Sequence, residues 1–134
     1  MNTKQYLGQI QRYDRMIKNK LDEIYKLRTL TMNISASNDD DRVQTSSEKD
    51  KIGVMLARII DMEREVDEMI DKRCEIVIQI EKMENLESYD ILANIYILGK
   101  DLKVVAVEKH FSYRHFIRLY NRALKEFQQK YKIA

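Results

Sequence analysis

The sequence contains no proline, only three glycines and a single cysteine among its 134 residues. An all-β sandwich or barrel needs turn residues at intervals of about 8–12 positions, so this scarcity argues against both folds. The lone Cys74 cannot form a disulfide within the chain, which is typical of proteins kept in a reducing compartment. We therefore expect a cytoplasmic protein whose fold does not depend on disulfides or on frequent tight turns.

Several functional signatures are also missing. No stretch approaches about 18 uninterrupted apolar residues, which argues against a membrane span. The first residues, Met1–Tyr6, lack the apolar run of a signal peptide. Cys74 and the two histidines, His110 and His115, do not provide four ligands at a spacing typical of zinc sites. With neither a glycine-rich phosphate loop nor a nucleophile–histidine set near a turn, we expect no enzyme activity, no metal and no cofactor.

Two long segments carry apolar residues at alternating spacings of three and four, which is the period of a coiled-coil seam. Residues 3–31 and 48–85 are predicted to form these two helices. The segment between them is rich in Ser, Asn and Asp, so we expect a mobile loop at about residues 32–48. The pattern predicts an all-α protein in which residues 1–85 form a long helical hairpin of the coiled-coil type.

The seam is better specified in the second helix than in the first. Lys20 interrupts the seam of the first helix, and Leu7 and Leu21 widen it. In the second helix nine of ten seam positions are apolar, and four are Met, which tolerates alternative packing partners. Because two helices alone leave part of each stripe exposed, we expect a homo-oligomer, such as a dimer, or a partner helix. The residues predicted to form this oligomer or partner seam are Ile52, Met55, Ile59, Met62, Val66 and Met69.

The remaining segment, residues 86–134, is predicted to contain three shorter helices. They are expected over residues 88–98, 102–109 and 112–131, with Ser88, Asp101 and Ser112 as their caps. A turn of three to four residues at His110–Phe111 separates the last two. This succession is typical of a helix-turn-helix module.

The last helix carries an apolar stripe that is expected to pack inward and a basic stripe. The apolar stripe consists of Phe116, Leu119, Tyr120, Ala123, Leu124 and Phe127. The basic stripe, spaced by four, four and three residues, consists of Arg114, Arg118, Arg122 and Lys125. A helix fits the major groove of B-DNA, where arginine can bond two acceptors of guanine, and basic groups further along the helix meet phosphates. A solvated basic face is the alternative interpretation of this stripe.

The position of each residue along the last helix suggests its role. Residues near the start of a recognition helix contact base edges most often. The residues assigned to bases are therefore Tyr113, Arg114, His115 and Arg118. The residues assigned to phosphates are Ser112, at the helix N-terminus, and Arg122 and Lys125.

Three short stretches of this region resemble the DNA-reading end of the fourth region of sigma factors. They are Val105–Ala106, Ser112–Leu119 and Arg122–Leu124. More loosely, the whole chain resembles the ArpU- and RinA-like late transcription regulators of phages and prophages of Gram-positive bacteria. This resemblance implies a sigma-like helix-turn-helix that binds double-stranded DNA and regulates transcription in a bacterial host cell. It allows two modes: the protein acts alone on a promoter, or it contacts RNA polymerase while it reads DNA.

A competing hypothesis belongs to a different class of function. In it, the helix-turn-helix no longer reads DNA, and the chain is a helical interaction module. The Met-rich seam and the acidic residues of the second long helix would then bind a host or phage protein and modulate its activity.

Overall fold

The computed structural model describes residues 1–36 and 46–133, and every regular element within these ranges is helical. The all-α fold class is therefore confirmed. Two long helices come first, and three shorter ones follow. They are α1 (Thr3–Ala36), α2 (Ser46–Glu81), α3 (Leu86–Leu92), α4 (Leu102–Glu108) and α5 (Tyr113–Tyr131). A π-helical turn, Ala93–Ile97, continues directly from α3.

Both long helices extend into the segment predicted as a loop. α1 continues to Ala36 and α2 already begins at Ser46, so the flanks of the predicted loop are helical. Met, Asn, Ile, Ser and Ala follow residue 31, and none of them breaks a helix as Gly or Pro would. The centre of the predicted loop, residues 37–45, lies outside the described residues.

The chain divides into two compact units, and Arg15–Asp71 forms one of them. Its core consists of Ile24, Ile59, Met62 and Val66, with Ile17 and Leu27 packed against them. Ion pairs join Lys20 to Glu65 and Arg28 to Glu63, so higher numbers on α1 face lower numbers on α2. The two helices therefore run antiparallel, as the predicted hairpin requires.

The polar interruption of the first seam is accommodated by an ion pair. Lys20 donates to Glu65 across the edge of the hairpin, and this hydrogen bond lowers the pKa of the Glu65 carboxyl. Leu21, in contrast, does not widen the buried stripe as predicted, because half of its surface is exposed.

The other unit comprises Met1–Asp14 together with Lys72–Ala134. Its core combines the inner faces of α3, α4 and α5 with the first turns of α1 and the last turns of α2. The most deeply buried members are Leu7, Ile10, Ile80, Ile91, Leu92, Val105, Phe116 and Phe127. The unit thus includes parts of both long helices beside the helix-turn-helix, whereas the change in sequence pattern lies at residue 86.

Local capping differs in part from the prediction. Asn85, not Ser88, caps α3, because its side chain accepts the backbone N–H groups of Glu87 and Ser88. Ser88 is buried and donates instead to the Glu126 carboxylate over 2.6 Å. Leu98 has the spacing of the apolar face but is exposed, since it follows the π-helical turn.

Candidate nucleic-acid interface

α4, a four-residue turn and α5 form a helix-turn-helix whose turn depends on two local features. His110 adopts a left-handed conformation with φ of 59°, which reverses the chain direction after α4. Ser112 then caps α5, since its Oγ accepts the backbone N–H of His115 over 3.2 Å. The predicted turn and cap are both confirmed, and they fix where the first residues of α5 lie.

The inner face of α5 holds the helix against the core. Phe116, Ala123 and Phe127 are fully buried, and Tyr120 and Leu124 are nearly so. The Tyr120 hydroxyl lies 2.6 Å from that of the buried Tyr96 in the π-helical turn. These contacts confirm the predicted inward stripe and fix the rotation of α5 about its own axis.

The rotation of α5 places its basic stripe on the opposite, solvent-facing side. Arg114, Arg118, Arg122 and Lys125 are all exposed. At 3.6 residues per turn they fall within a sector of about 80°, roughly opposite the buried face. At about 1.5 Å per residue the four side chains span about 17 Å along the helix. The structure therefore brings the four predicted cations together as one surface, which we call the basic stripe.

The basic stripe has no carboxylate partner among the residues that the structure describes. Among residues 1–36 and 46–133, no carboxylate forms an ion pair with any of its four members. Basic side chains elsewhere in the described residues do form ion pairs: Arg73 pairs with Asp14, and Lys109 pairs with Asp90. The only acid of α5, Glu126, accepts from Ser88 instead. The positive charge of the stripe thus remains available to an external anion.

The remaining predicted contact residues lie around the basic stripe. Tyr113 is 46% exposed in the first turn of α5, next to Arg114. The His115 ring meets the ring of Phe111 edge-on, with 5.1 Å between centroids. His115 and Arg122 line a groove of about 320 Å³ at one margin of the stripe, and the acidic Glu87 also lines this groove. Tyr113 is thus accessible at the start of α5 but lies about 100° from Arg114 around the helix, outside the basic stripe, whereas His115 lies at the edge of the stripe.

Two polar side chains on the same face were missed by the sequence analysis. Asn121 and Gln129 are exposed and line a shallow depression of about 500 Å³ together with Arg122, Lys125 and the acidic Glu126. Both can donate and accept hydrogen bonds, so they suit contacts to bases or phosphates. The available signal was helical phase, since Asn121 follows Arg114 by seven residues and Gln129 follows Arg122 by seven.

The seam predicted on α2 has a role within the hairpin unit. Ile59, Met62 and Val66 are buried in its core, and Ile52, Met55 and Met69 are half-buried. The three buried side chains already have partners on α1. An oligomer through this seam stays a prediction.

Within residues 1–36 and 46–133, no cluster of three His, Cys, Asp or Glu side chains is placed to bind a metal ion. None of the helices in those ranges has both the length and the apolar character needed to cross a bilayer.

The fold and the surface define an all-α protein in which a helix-turn-helix presents a basic helix face that pairs with no carboxylate of residues 1–36 and 46–133. Residues 31–128 match the family described as "Protein of unknown function (DUF1492)". The match covers most of the chain, which therefore belongs to this family. No curated protein and no solved structure matches the chain.

Proposed function

We propose that this protein is a sequence-specific DNA-binding transcription regulator that places α5 in the major groove of double-stranded DNA. The observation that supports this most directly is the basic stripe, four exposed cations without a carboxylate partner in the described parts of the chain. Such a surface attracts a polyanion, because each cation that neutralises a phosphate releases condensed counterions. The helix-turn-helix is a frame that inserts its second helix into DNA.

The residues of α5 take different roles according to their depth in the groove. Arg114 and Arg118 lie in the first two turns, where recognition helices meet base edges, and each can bond O6 and N7 of guanine. Tyr113 reaches bases beside them, and His115 does so from the margin. Arg122 and Lys125, one to two turns further on, contact phosphates.

Ser112 contributes a phosphate contact through the other side of its hydroxyl. Its Oγ accepts the His115 N–H as the helix cap, which leaves the hydroxyl proton free to donate. A phosphate oxygen at the N-terminus of α5 would receive that proton and would also be favoured by the helix dipole.

The biological setting of the proposal rests on the sequence resemblance. Val105–Ala106 and Ser112–Leu119 resemble the DNA-reading end of sigma factors, which supports control of transcription, with phage or prophage genes as its object. Both modes remain part of the proposal: binding to a promoter alone, or binding to DNA together with RNA polymerase.

A selection from random duplexes tests the proposal. The full chain should enrich a defined sequence, and its affinity for that duplex should fall steeply with salt concentration. Arg118→Ala should weaken binding by about 1–3 kcal/mol and relax the preference at one base position. Lys125→Ala should weaken binding to all sequences alike and reduce the salt slope by about 1.

A matched control removes the same charge elsewhere. Arg64 is exposed on α2, so Arg64→Ala changes the net charge as Arg118→Ala does but leaves α5 intact. It should keep the wild-type sequence preference and nearly the wild-type affinity. The proposal is wrong if no duplex is enriched, or if Arg64→Ala and Arg118→Ala weaken binding equally.

A second candidate function is supported by one observation on α4. Val104 and Val107 are 45% and 74% exposed on the helix that precedes the turn, an unusual place for two apolar side chains. They suit a protein contact, as in the alternative of an interaction module that does not read DNA. Val107→Asp should then abolish binding to the partner protein and the protein's effect on that partner in cells, whereas Arg118→Ala should leave both unchanged.

A further inference from the structure

The hairpin unit exposes more large apolar side chains than its core buries. Four residues form the buried cluster, yet α1 and α2 also carry a second set of apolar residues outside the seam. Six of these lie at helical spacing and are between 41% and 74% exposed. They are Leu21, Tyr25 and Met32 on α1, and Leu56, Ile60 and Ile70 on α2; we call them the outer stripe.

The six residues of the outer stripe lie on one side of the hairpin. At about 100° per residue, the members on each helix cluster within about 80° of one another and are displaced by about 100° from the seam. The ion pair between Arg28 and Glu63 runs along this side, because both residues have the phase of the outer stripe on their own helix. The two half-stripes therefore form one apolar surface crossed by an ion pair.

The charges around the outer stripe are segregated by helix. Along the length of the stripe, the charged residues with its phase on α1, Lys18 and Arg28, are basic, and those on α2, Glu63 and Asp67, are acidic; Lys49 on α2 shares this phase but lies beyond the end of the stripe. A twofold axis that lies in this surface, parallel to the helices, would place α1 of one copy against α2 of the other. Lys18 of each copy would then face Asp67 of the other, and Arg28 would face Glu63 of the other copy in addition to that of its own chain, so the surface is complementary to itself.

We propose that a second copy of this chain docks on the outer stripe, so that two hairpins form a four-helix bundle. The hairpin is a single layer of two helices. A hydrophobic core normally lies between two layers of secondary structure, so a second hairpin packed on the outer stripe would complete such a core. The proposed interface differs from the α2 seam, whose central residues Ile59, Met62 and Val66 are already buried within one chain. It does not depend on DNA binding.

The size of the surface sets the expected affinity. The outer stripe extends over about 21–26 Å along the helices, from the rise of about 1.5 Å per residue, and over two helix diameters, about 20–24 Å. That corresponds to about 500 Å² per chain, below the roughly 800 Å² of a standard interface. We therefore expect a dimer that dissociates in the micromolar range.

Sedimentation equilibrium of the full chain tests the proposal. The wild type should change from 16.1 kDa to about twice that mass across the micromolar range. Ile60→Glu should raise the dissociation constant at least tenfold, because it places a charge in the centre of the surface. Val54→Glu is the matched control: Val54 is 70% exposed on the same helix but lies outside the outer stripe. Circular dichroism should report equal helicity for both variants.

A charge-segregated pair of chains provides a second, gain-of-function test. One chain carries Glu63→Lys and Asp67→Lys, and the other carries Lys18→Glu and Arg28→Glu. Each chain alone should be monomeric because like charges oppose one another across the twofold axis, and an equimolar mixture should form a heterodimer. The proposal fails if the wild type stays monomeric throughout the micromolar range. It also fails if Ile60→Glu and Val54→Glu dimerise equally well, or if the mixed chains do not associate.

Discussion

The buried pair of tyrosine hydroxyls between the π-helical turn and α5 allows a quantitative test of how α5 is held. The hydroxyl oxygens of Tyr96 and Tyr120 are 2.6 Å apart, and the two residues are only 7% and 6% exposed. Tyr96→Phe removes one hydroxyl and leaves the other buried without its partner. An unsatisfied buried hydroxyl costs about 1–3 kcal/mol, so we expect this loss in the free energy of unfolding.

The double variant should be more stable than the two single losses suggest. In Tyr96→Phe/Tyr120→Phe both hydroxyls are absent, so no polar group is left without a partner. Replacement of both members of a buried hydrogen bond by apolar groups of similar shape costs little. The double-mutant cycle should therefore give a coupling energy of about 1–3 kcal/mol between the two positions.

Urea denaturation followed by far-ultraviolet circular dichroism measures these energies. The chain contains no tryptophan, so circular dichroism is used rather than tryptophan fluorescence. The m value is the slope of the unfolding free energy against urea concentration. A change in m would show that a variant has altered the denatured state rather than the native contact. Tyr113→Phe is the matched control on the same helix, since Tyr113 is 46% exposed, and its effect should stay within about 0.5 kcal/mol. Additive single losses, within about 0.5 kcal/mol, would refute the buried hydroxyl pair.

Three further predictions concern the same unit. Ser112→Ala should destabilise the protein by about 1 kcal/mol, because it removes the cap from the N–H of His115; thermal unfolding measures this. His110→Gly should stabilise it by up to about 1 kcal/mol in the same assay, because glycine adopts the left-handed conformation without strain. Burial raises the pKa of Tyr96, so the contribution of Tyr96 to stability should be constant below about pH 10 and should decrease as the pH rises above it; the fall in stability at alkaline pH should therefore be less steep in Tyr96→Phe.

The hairpin and its seam were predictable because periodicity records burial. Ile24, Ile59, Met62 and Val66 occupy a and d positions, and the structure buries all four in one cluster. The ends of the helices were less predictable. The end of a helix depends on its cap and on its packing, and neither is marked in the sequence here. Residues 32–36 contain no Gly or Pro that would end α1.

The cap of α3 was predicted wrongly because the sequence offers two suitable capping residues close together. Asn85 and Ser88 are both good capping residues, and they are three positions apart. Only the tertiary structure decides between them, since Ser88 is drawn into a buried hydrogen bond with Glu126 from another helix. Leu98 is a similar case, because the wider π-helical turn before it changes the phase of the helix.

The spacing of the basic stripe was visible in the sequence, but whether its cations form ion pairs was not. Spacing predicts that Arg114, Arg118, Arg122 and Lys125 share a face, whereas pairing depends on which acids the fold brings near. Lys20 and Arg73 also lie on helices at regular spacing, and the fold supplies each with a carboxylate. A sequence alone does not separate these two outcomes.

The difference between paired and unpaired cations matters more for function than the net charge of +2. At physiological ionic strength a charge acts over about 8 Å, so a distant carboxylate does not weaken the attraction of an arginine for a phosphate. An ion-paired side chain such as Lys109, next to Asp90, would first have to give up its partner. The four cations on α5 have no carboxylate partner among the described residues and no such cost from them, which is why we propose that a nearly neutral chain binds a polyanion along one helix face.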